Sequence, residues 1–367
     1  MTDLELKPRL RFKGFTEAWE QRKLGDEATE LLAGGDIDKA KSSENGKYPI
    51  YANALTNEGI VGYYNDFFRV KAPAVTITGR GEIGYAIARN VDFTPVVRLI
   101  SIKTKHNNSF LANAINQLKV VSESTGVPQL TVPQVEKYEI KFPVEIKEEI
   151  QIAKLFNGLD SLITLHQRKC EKLKSMKVAL LEKMFPDENE KTPKIRFKGF
   201  IEAWEQRKLK ELCTYESSNI TSQDISSIGK YELFDANGSI GRTDKCAIRK
   251  EYISIIKDGA GVGRIKKLPK NSAILGTMGA IKAEYCEYNF LFSLLEKANI
   301  GASFSGSTIP HIYFKDYGEN NYFVPSALEQ KSIGELFNNL DNLITLHQRK
   351  CEKLKNLKKS LLERMFI

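Results

Sequence analysis

RFKGFTEAWEQRKL at 11–24 returns as RFKGFIEAWEQRKL at 196–209, an offset of 185 residues. A second pair follows, LFNGLDSLITLHQRKCEKLKSMKVALLEKMF at 155–185 and LFNNLDNLITLHQRKCEKLKNLKKSLLERMF at 336–366, now with an offset of 181. Self-similarity of this kind sets the architecture before any local pattern is weighed. The drop in offset places a four-residue shortening between the blocks, while the blocks keep their length. The order is block, variable region and helix, then the same again. Residues 25–148 and 210–328 share only short echoes: GKYPIY at 46 answers GKYELF at 229, and GVPQL at 126 answers STIPHI at 307. Near-identity outside with divergence inside sets this apart from a plain structural tandem.

Residues 149–185 carry apolar side chains at Leu155, Leu159, Leu162, Cys170, Leu173, Met176, Leu180 and Met184, the spacing of one face of a long helix. His166 and His347 fall in the same stripe of the two copies and read as packed or capping residues rather than ligands. Pro143 lies ahead of the first helix and Pro186 ends it; Pro325 lies ahead of the second. About 35 residues make a rod of roughly 50 Å. A lone stripe of that length would leave apolar surface in water, so the two helices are expected to pack on each other as a coiled coil. The antiparallel arrangement fits a pseudo-twofold repeat, because it would place the variable regions at opposite ends of the pair. Lys172, Lys174, Lys177, Lys353, Lys355, Lys358 and Lys359 are assigned to the outer polar faces.

Each variable region mixes short β-rich runs (YPIYAN, APAVTIT, VVRLISI; YELFDA, YISII, SAILGTM) with one short helix, near SFLANAINQL and NFLFSLLEKA. Each is thus an α+β region of about 120 residues. TGRGEIG (Gly79, Gly81, Gly84) and DGAGVGR (Gly259, Gly261, Gly263) look at first like a nucleotide fingerprint, which requires a strand before and a helix after. The residues that follow, YAIARN and IKKLPKN, read as strand or turn, so a glycine-rich hairpin is expected instead. Neither N-P-P-Y nor D-P-P-Y occurs, and no Ser/His/Asp or P-D-x-(D/E)-x-K constellation is convincing. No catalytic residues are assigned.

With 367 residues and 41% hydrophobic content the chain is long enough for two or three domains, each with its own core. The formal charge is +9, yet residues 25–148 carry 14 basic and 15 acidic side chains and residues 210–328 carry 14 and 13, so the excess lies in the duplicated segments. Cys170, Cys213, Cys246, Cys286 and Cys351 show no C-x-x-C spacing, which suits reduced thiols, and four dispersed histidines give no metal site. No apolar run reaches the roughly 20 residues of a membrane span. MTDLELKPRLRFKGF lacks the apolar centre of a signal peptide, and a cytoplasmic location is expected.

WEQRKL at 19–24 and 204–209, LITLHQRKCEKLK at 162–174 and 343–355, and the GVPQL and STIPHI turns together make the chain resemble, over its full length, the specificity subunits (HsdS family) of type I restriction and modification systems. That resemblance implies two target recognition domains, each reading one half of a split asymmetric site on double-stranded DNA, with the paired helices as spacer. It implies that the repeated blocks bind two modification subunits, with restriction and translocase subunits completing the complex and no membrane involved. The chain itself would be no enzyme and hold no cofactor: S-adenosylmethionine, ATP and Mg²⁺ would belong to the partner subunits. The division expected is 1–24, first block; 25–148, first recognition domain; 149–185, central helix; 186–209, linker and second block; 210–328, second recognition domain; 329–367, C-terminal helix. A non-enzymatic tandem scaffold that binds other proteins is the alternative.

Base reading in the major groove favours Arg with guanine, Asn or Gln with adenine, and Ser or Thr with either, on loops able to enter the groove. On that basis Tyr51, Asn53, Arg80, Ser124, Thr125 and Gln129 are the candidates in the first region. Asn237, Arg242, Arg264, Lys266, Lys267, Ser307 and His311 are those in the second. Aligned by their glycines, the loops set Arg80 against Ala260, so either Arg264 takes over the role or the two loops read differently.

Overall fold

The computed structural model describes residues 6–118, 129–187, 190–245, 248–303 and 310–367. Residues up to His166 together with Arg349–Ile367 form one compact unit, and Gln167–Gln348 form the other.

In the first unit the central sheet is antiparallel in the order Ala28–Ala33, Ile100–Thr104, Ala74–Ile77, Ala86–Arg89. Ala74–Ile77 is buried at every position, consistent with a run that has no charged residue to give to solvent. Helix Asn108–Ile115 packs on the last two strands, and its start is fixed by Asn107, whose side chain accepts from Phe110 N at 3.0 Å. A three-stranded sheet runs Ile60–Tyr64, Tyr48–Tyr51, Thr94–Pro95, the last pair parallel. The repeated block supplies one more strand, Glu20–Lys23, which pairs antiparallel with Glu139–Phe142.

The second unit repeats this plan. Its four-stranded sheet is Cys213–Ser217, Met278–Ala283, Tyr252–Ile256, Ile265–Leu268; its three-stranded sheet is Ser239–Thr243, Tyr231–Phe234, Ser272–Ile274. Glu205–Lys208 pairs with Asn321–Val324, and Glu287 caps helix Tyr288–Ala298 through Phe290 N at 2.6 Å. GKYPIY and GKYELF thus form the same central strand in both copies, and each unit is α+β.

The long helices are Ile146–Met184 and Ala327–Met365, so both begin before positions 149 and 329. In the first unit Asp160 meets Lys358 at 2.6 Å, and Phe156 meets Phe366 with ring centroids 5.9 Å apart. Climbing one helix descends the other, so the pair is antiparallel. In the second unit Lys177 meets Asp341 at 2.6 Å and Phe185 meets Phe337 at 6.0 Å, in the same sense. Ile152, Phe156, Leu159, Ile163 and Cys170 are buried along the first helix, and Ile333, Phe337, Leu340, Ile344 and Cys351 along the second. Their spacing of three, four or seven is the period of a coiled-coil seam.

That seam corrects two expectations. Leu162 and Met176, placed above on the apolar face, are 45% and 42% exposed. Each sits one position before a seam residue, Ile163 or Lys177, and a seven-residue seam takes only two positions per repeat. Lys177 and Lys358, placed above on the outer faces, are instead largely covered and ion-paired, Lys177 to Asp341 and Glu296, Lys358 to Asp160. Their aliphatic stems lie along the seam and the carboxylates receive the charged ends.

The repeated blocks frame both units. Arg11 makes two bonds to Glu148 (2.8 and 2.7 Å), and Arg196 makes two to Glu329 (2.6 and 2.7 Å). Leu10 N donates to Arg364 O, and Ile195 N to Lys183 O, both at 2.9 Å, each satisfying a carbonyl that the end of a long helix leaves open. Trp19 packs against Phe110 and Phe366, with centroids at 5.6 and 6.2 Å; Trp204 packs against Phe290 and Phe185, both at 6.0 Å. The phenylalanine that closes each core therefore comes from the end of the other repeat's helix. One contact set made twice accounts for the near-identity of the blocks.

Candidate nucleic-acid interface

The glycine-rich segments are hairpin loops, joining Ala74–Ile77 to Ala86–Arg89 and Tyr252–Ile256 to Ile265–Leu268. Thr78 N to Tyr85 O (2.9 Å) and Gly84 N to Thr78 O (2.8 Å) close the first; Ile256 N to Arg264 O (3.0 Å) and Gly263 N to Ile256 O (2.8 Å) close the second. Gly84 and Gly263 stand at φ +82° and +80°, a conformation glycine adopts without steric cost. A strand follows each loop, so neither has the helix N-terminus that would hold a pyrophosphate.

The same bonds correct the alignment of the loops. Leu130 N donates to Gly79 O at 2.9 Å and Arg80 bridges Gln129; Ile312 N donates to Lys257 O at 3.0 Å and Asp258 bridges His311. Arg80 therefore corresponds to Asp258 rather than Ala260, and Arg264 corresponds to Tyr85. The second loop is one residue longer, which throws the glycines out of step.

A third segment completes each edge. Val97 N donates to Gly35 O (2.8 Å) and Leu99 N to Val96 O (3.0 Å); Gly276 N donates to Ile220 O (2.7 Å) and Met278 N to Leu275 O (2.9 Å). Val97–Arg98 thus correspond to Gly276–Thr277. Val97 and Arg98 both lie at left-handed φ, +52° and +61°, a conformation that a β-branched residue adopts only when its surroundings enforce it. Asn53 holds that turn together with the backbone bonds to Gly34 and Gly35: its Nδ2 donates to Val97 O at 2.6 Å while its Oδ1 accepts from Gly79 N at 2.7 Å. In the second unit Thr277 O accepts from Lys257 N (3.0 Å) and Asp258 N (3.3 Å).

The residues proposed from sequence fall into distinct environments. Arg80 is exposed beside the half-buried Gln129. Tyr51 is buried, with the Arg89 guanidinium 3.6 Å from its ring centroid, and its carbonyl accepts from Val96 N at 2.9 Å. Asn53 is spent on the clamp just described. Asn237 is exposed at a hairpin tip, where Asp235 Oδ1 accepts from Asn237 N at 2.7 Å and Gly238 N at 2.9 Å. Arg242 braces a turn through the carbonyls of Gly229 and Lys230. Arg264 and Lys266 are exposed on the second hairpin. Lys267 turns inward, donating to Asn289 (2.7 Å) and Asn338 (3.1 Å) near the Phe292 ring, and burial holds its ammonium below the usual lysine range. His311 Nδ1 lies 2.6 Å from Asp258 Oδ1. Ser124, Thr125 and Ser307 lie outside the described residues. Arg98, Asp258 and Thr277 were not on the sequence-based roster. No local sequence signal marks Asp258: the GVPQL and STIPHI echo pairs Gln129 with His311, and only the bridges those two residues make pair Arg80 with Asp258.

Among the described residues no group of three or more His, Cys, Asp or Glu side chains could hold a metal ion, and no helix is long and apolar enough to cross a membrane. Fold and edges together define a tandem of two equivalent α+β modules on a shared frame, each offering a different set of polar side chains from the same backbone positions. The family model of the type I restriction modification DNA specificity domain matches twice, at residues 16–175 and 201–356. The chain belongs to that family and carries two copies of its domain. It is 32% identical over 149 residues to a type I specificity subunit of Mycoplasma pneumoniae (39% of this chain, 40% of that one). It is 23% identical over 279 residues to the type I restriction enzyme MjaVIII specificity subunit of Methanocaldococcus jannaschii (67% and 65%). The matched stretches span less than two thirds of each curated relative's own length. In fold the chain is similar to the crystal structure of the type I restriction-modification system S subunit from M. genitalium, with a TM-score of 0.77 at 17% identity over 98% of this chain and 99% of that one.

Proposed function

We propose that the chain is the DNA-specificity subunit of a type I restriction-modification complex. Each variable region reads one half of a split, asymmetric site on double-stranded DNA, and the paired helices set the unread spacing between the halves. The observation that carries this is one backbone edge built twice, with Arg80, Arg98 and Gln129 in the first unit where the second has Asp258, Thr277 and His311. Two different half-site words call for different donors and acceptors on a common frame.

Two copies of a methyltransferase subunit dock on the repeated blocks and helices, and restriction and translocase subunits join them. Near-identical surfaces suit identical partners: Leu162 and Leu165 are exposed on the first helix, Leu343 and Leu346 at the matching positions of the second. Adenine methylation with S-adenosylmethionine belongs to the methyltransferase subunits, and ATP- and Mg²⁺-dependent translocation and cleavage to the others. The complex acts in the cytoplasm. The test is an electrophoretic shift of the full chain assembled with methyltransferase subunits, on duplexes carrying the methylated site. Arg80→Ala is expected to weaken binding through one half-site by about 1 to 3 kcal/mol. Failure of the wild-type assembly to prefer its site over unrelated duplex would contradict the proposal.

A further inference from the structure

We propose that three equivalent positions determine base preference in the two half-sites: Arg80, Arg98 and Gln129 read a guanine-containing word, and Asp258, Thr277 and His311 read a word whose key base offers an amino group, cytosine foremost. This rests on the function proposed above and names the residues and the chemistry.

The positions come from three separate segments that only the fold brings together. Arg80 follows the strand Ala74–Ile77, Gln129 bridges it, and Arg98 lies on the turn whose carbonyl oxygen would stand 2.6 Å from a Cβ at Gly79. Gly79 must stay a glycine for that approach, and Asn53 ties its amide to the Val97 carbonyl across the same gap. The left-handed Val97–Arg98 turn is therefore held in place; Arg98 and Arg80 are both exposed, on segments whose backbones approach at Gly79. In the second unit the same turn is Gly276–Thr277 with no left-handed residue, and its exposed side chain is a hydroxyl.

The chemistry of the two edges is opposed. A guanidinium gives two donors to O6 and N7 of guanine, and a glutamine amide matches N7 and N6 of adenine. A carboxylate only accepts, and near the phosphates of a duplex it is repelled unless a base amino group, such as N4 of cytosine, meets it. Asp258 is oriented for that role: Oδ1 is engaged by His311 at 2.6 Å, whereas Oδ2 faces Lys257 Nζ at 3.5 Å and keeps acceptor capacity. Thr277 accepts from Asp258 N through its carbonyl at 3.3 Å, which ties the hairpin to the turn.

The experiment uses the full chain assembled with methyltransferase subunits, acting on genomic DNA that carries no adenine methylation, with methylated adenines mapped by sequencing. Asp258→Asn is expected to lower discrimination at one base pair of one half-site by about tenfold or more and leave the other half intact. Arg80→Gln and Arg98→Gln are each expected to relax a guanine in the opposite half. Arg80 is an exposed side chain, so its variant keeps the proposal falsifiable should Asp258→Asn alter its hairpin, which a melting curve would show. A wild-type two-part motif that all three variants reproduce unchanged would overturn this proposal alone. Absence of any two-part motif with the wild-type chain would overturn it together with the function on which it rests.

Discussion

Glu148 and Glu329 are almost wholly buried, and each is held by two bonds from one arginine of the repeated RFKGF segment. Removing the arginine leaves a buried carboxylate behind, a loss on the order of 3 kcal/mol. The copies differ in what remains. Trp19 Nε1 also donates to Glu148 at 3.2 Å, whereas Trp204 Nε1 has no partner among the described residues. Arg196→Ala is therefore expected to lower the denaturation midpoint more than Arg11→Ala; the reverse order in urea titrations would refute it. His106 supplies a pH-dependent contrast. Burial opposes its charge, but bonds to Glu149 (Nδ1, 2.7 Å) and Glu27 (Nε2, 3.1 Å) outweigh that and raise its pKa. Its stabilising contribution is complete below the unfolded value of about 6.5 and is lost as pH rises through the raised folded value. The second unit has Cys286 and Gln330 at the places of His106 and Glu149, as the matching bonds Glu287 N to Gln330 (2.9 Å) and Asn107 N to Glu149 (2.8 Å) show. The stability difference between the wild type and His106→Gln should therefore shrink as pH is raised above 6.5, and a constant difference would exclude this role. None of these side-chain roles was legible in the sequence, because Arg11 and Glu148 stand 137 residues apart and no local pattern joins them.

At the level of elements, the seam of the long helices carries two lysine–carboxylate pairs at equivalent positions. Asp160 is half exposed, so water screens its pair with Lys358 and a coupling of about 0.5 kcal/mol is expected. Lys177 is largely covered and faces both Asp341 and Glu296, so double-mutant cycles should give a larger coupling for Lys177–Asp341, on the order of 1 kcal/mol or more. Equal couplings would remove burial as the deciding factor. The existence and pairing of these helices were readable from the duplication and the spacing of apolar residues. The face turned inward was not, because leucines occupy both Leu159 and Leu162 and only a packed partner selects between them. The hairpins were readable because YAIARN and IKKLPKN lack the pattern of a helix. Their register was not, since a one-residue difference in loop length displaces glycines that are only fixed by bonds to Gln129 and His311 neighbours far along the chain.

For the whole molecule, the duplication made the two-module plan legible, but not which unit each helix end joins. The sequence groups 155–185 with the first repeat, whereas the antiparallel seam assigns residues from Gln167 onward to the second unit and Arg349–Ile367 to the first. A half-chain of residues 1–186 carries, at 168–185, nearly the same sequence that closes the first unit at 349–366. Such a half-chain is expected to form a homodimer in sedimentation experiments, Phe185 of one copy taking the place of Phe366 against Trp19 of the other; a folded monomer would contradict this. The central claim, that each variable region reads its own half-site from a common frame, is tested most directly by replacing residues 210–328 with a copy of residues 25–148 and mapping methylated adenines left by the assembled methyltransferase. The expected result is a two-part motif with the first region's word in both halves. An unchanged motif, or one in which both original words are lost, would contradict it.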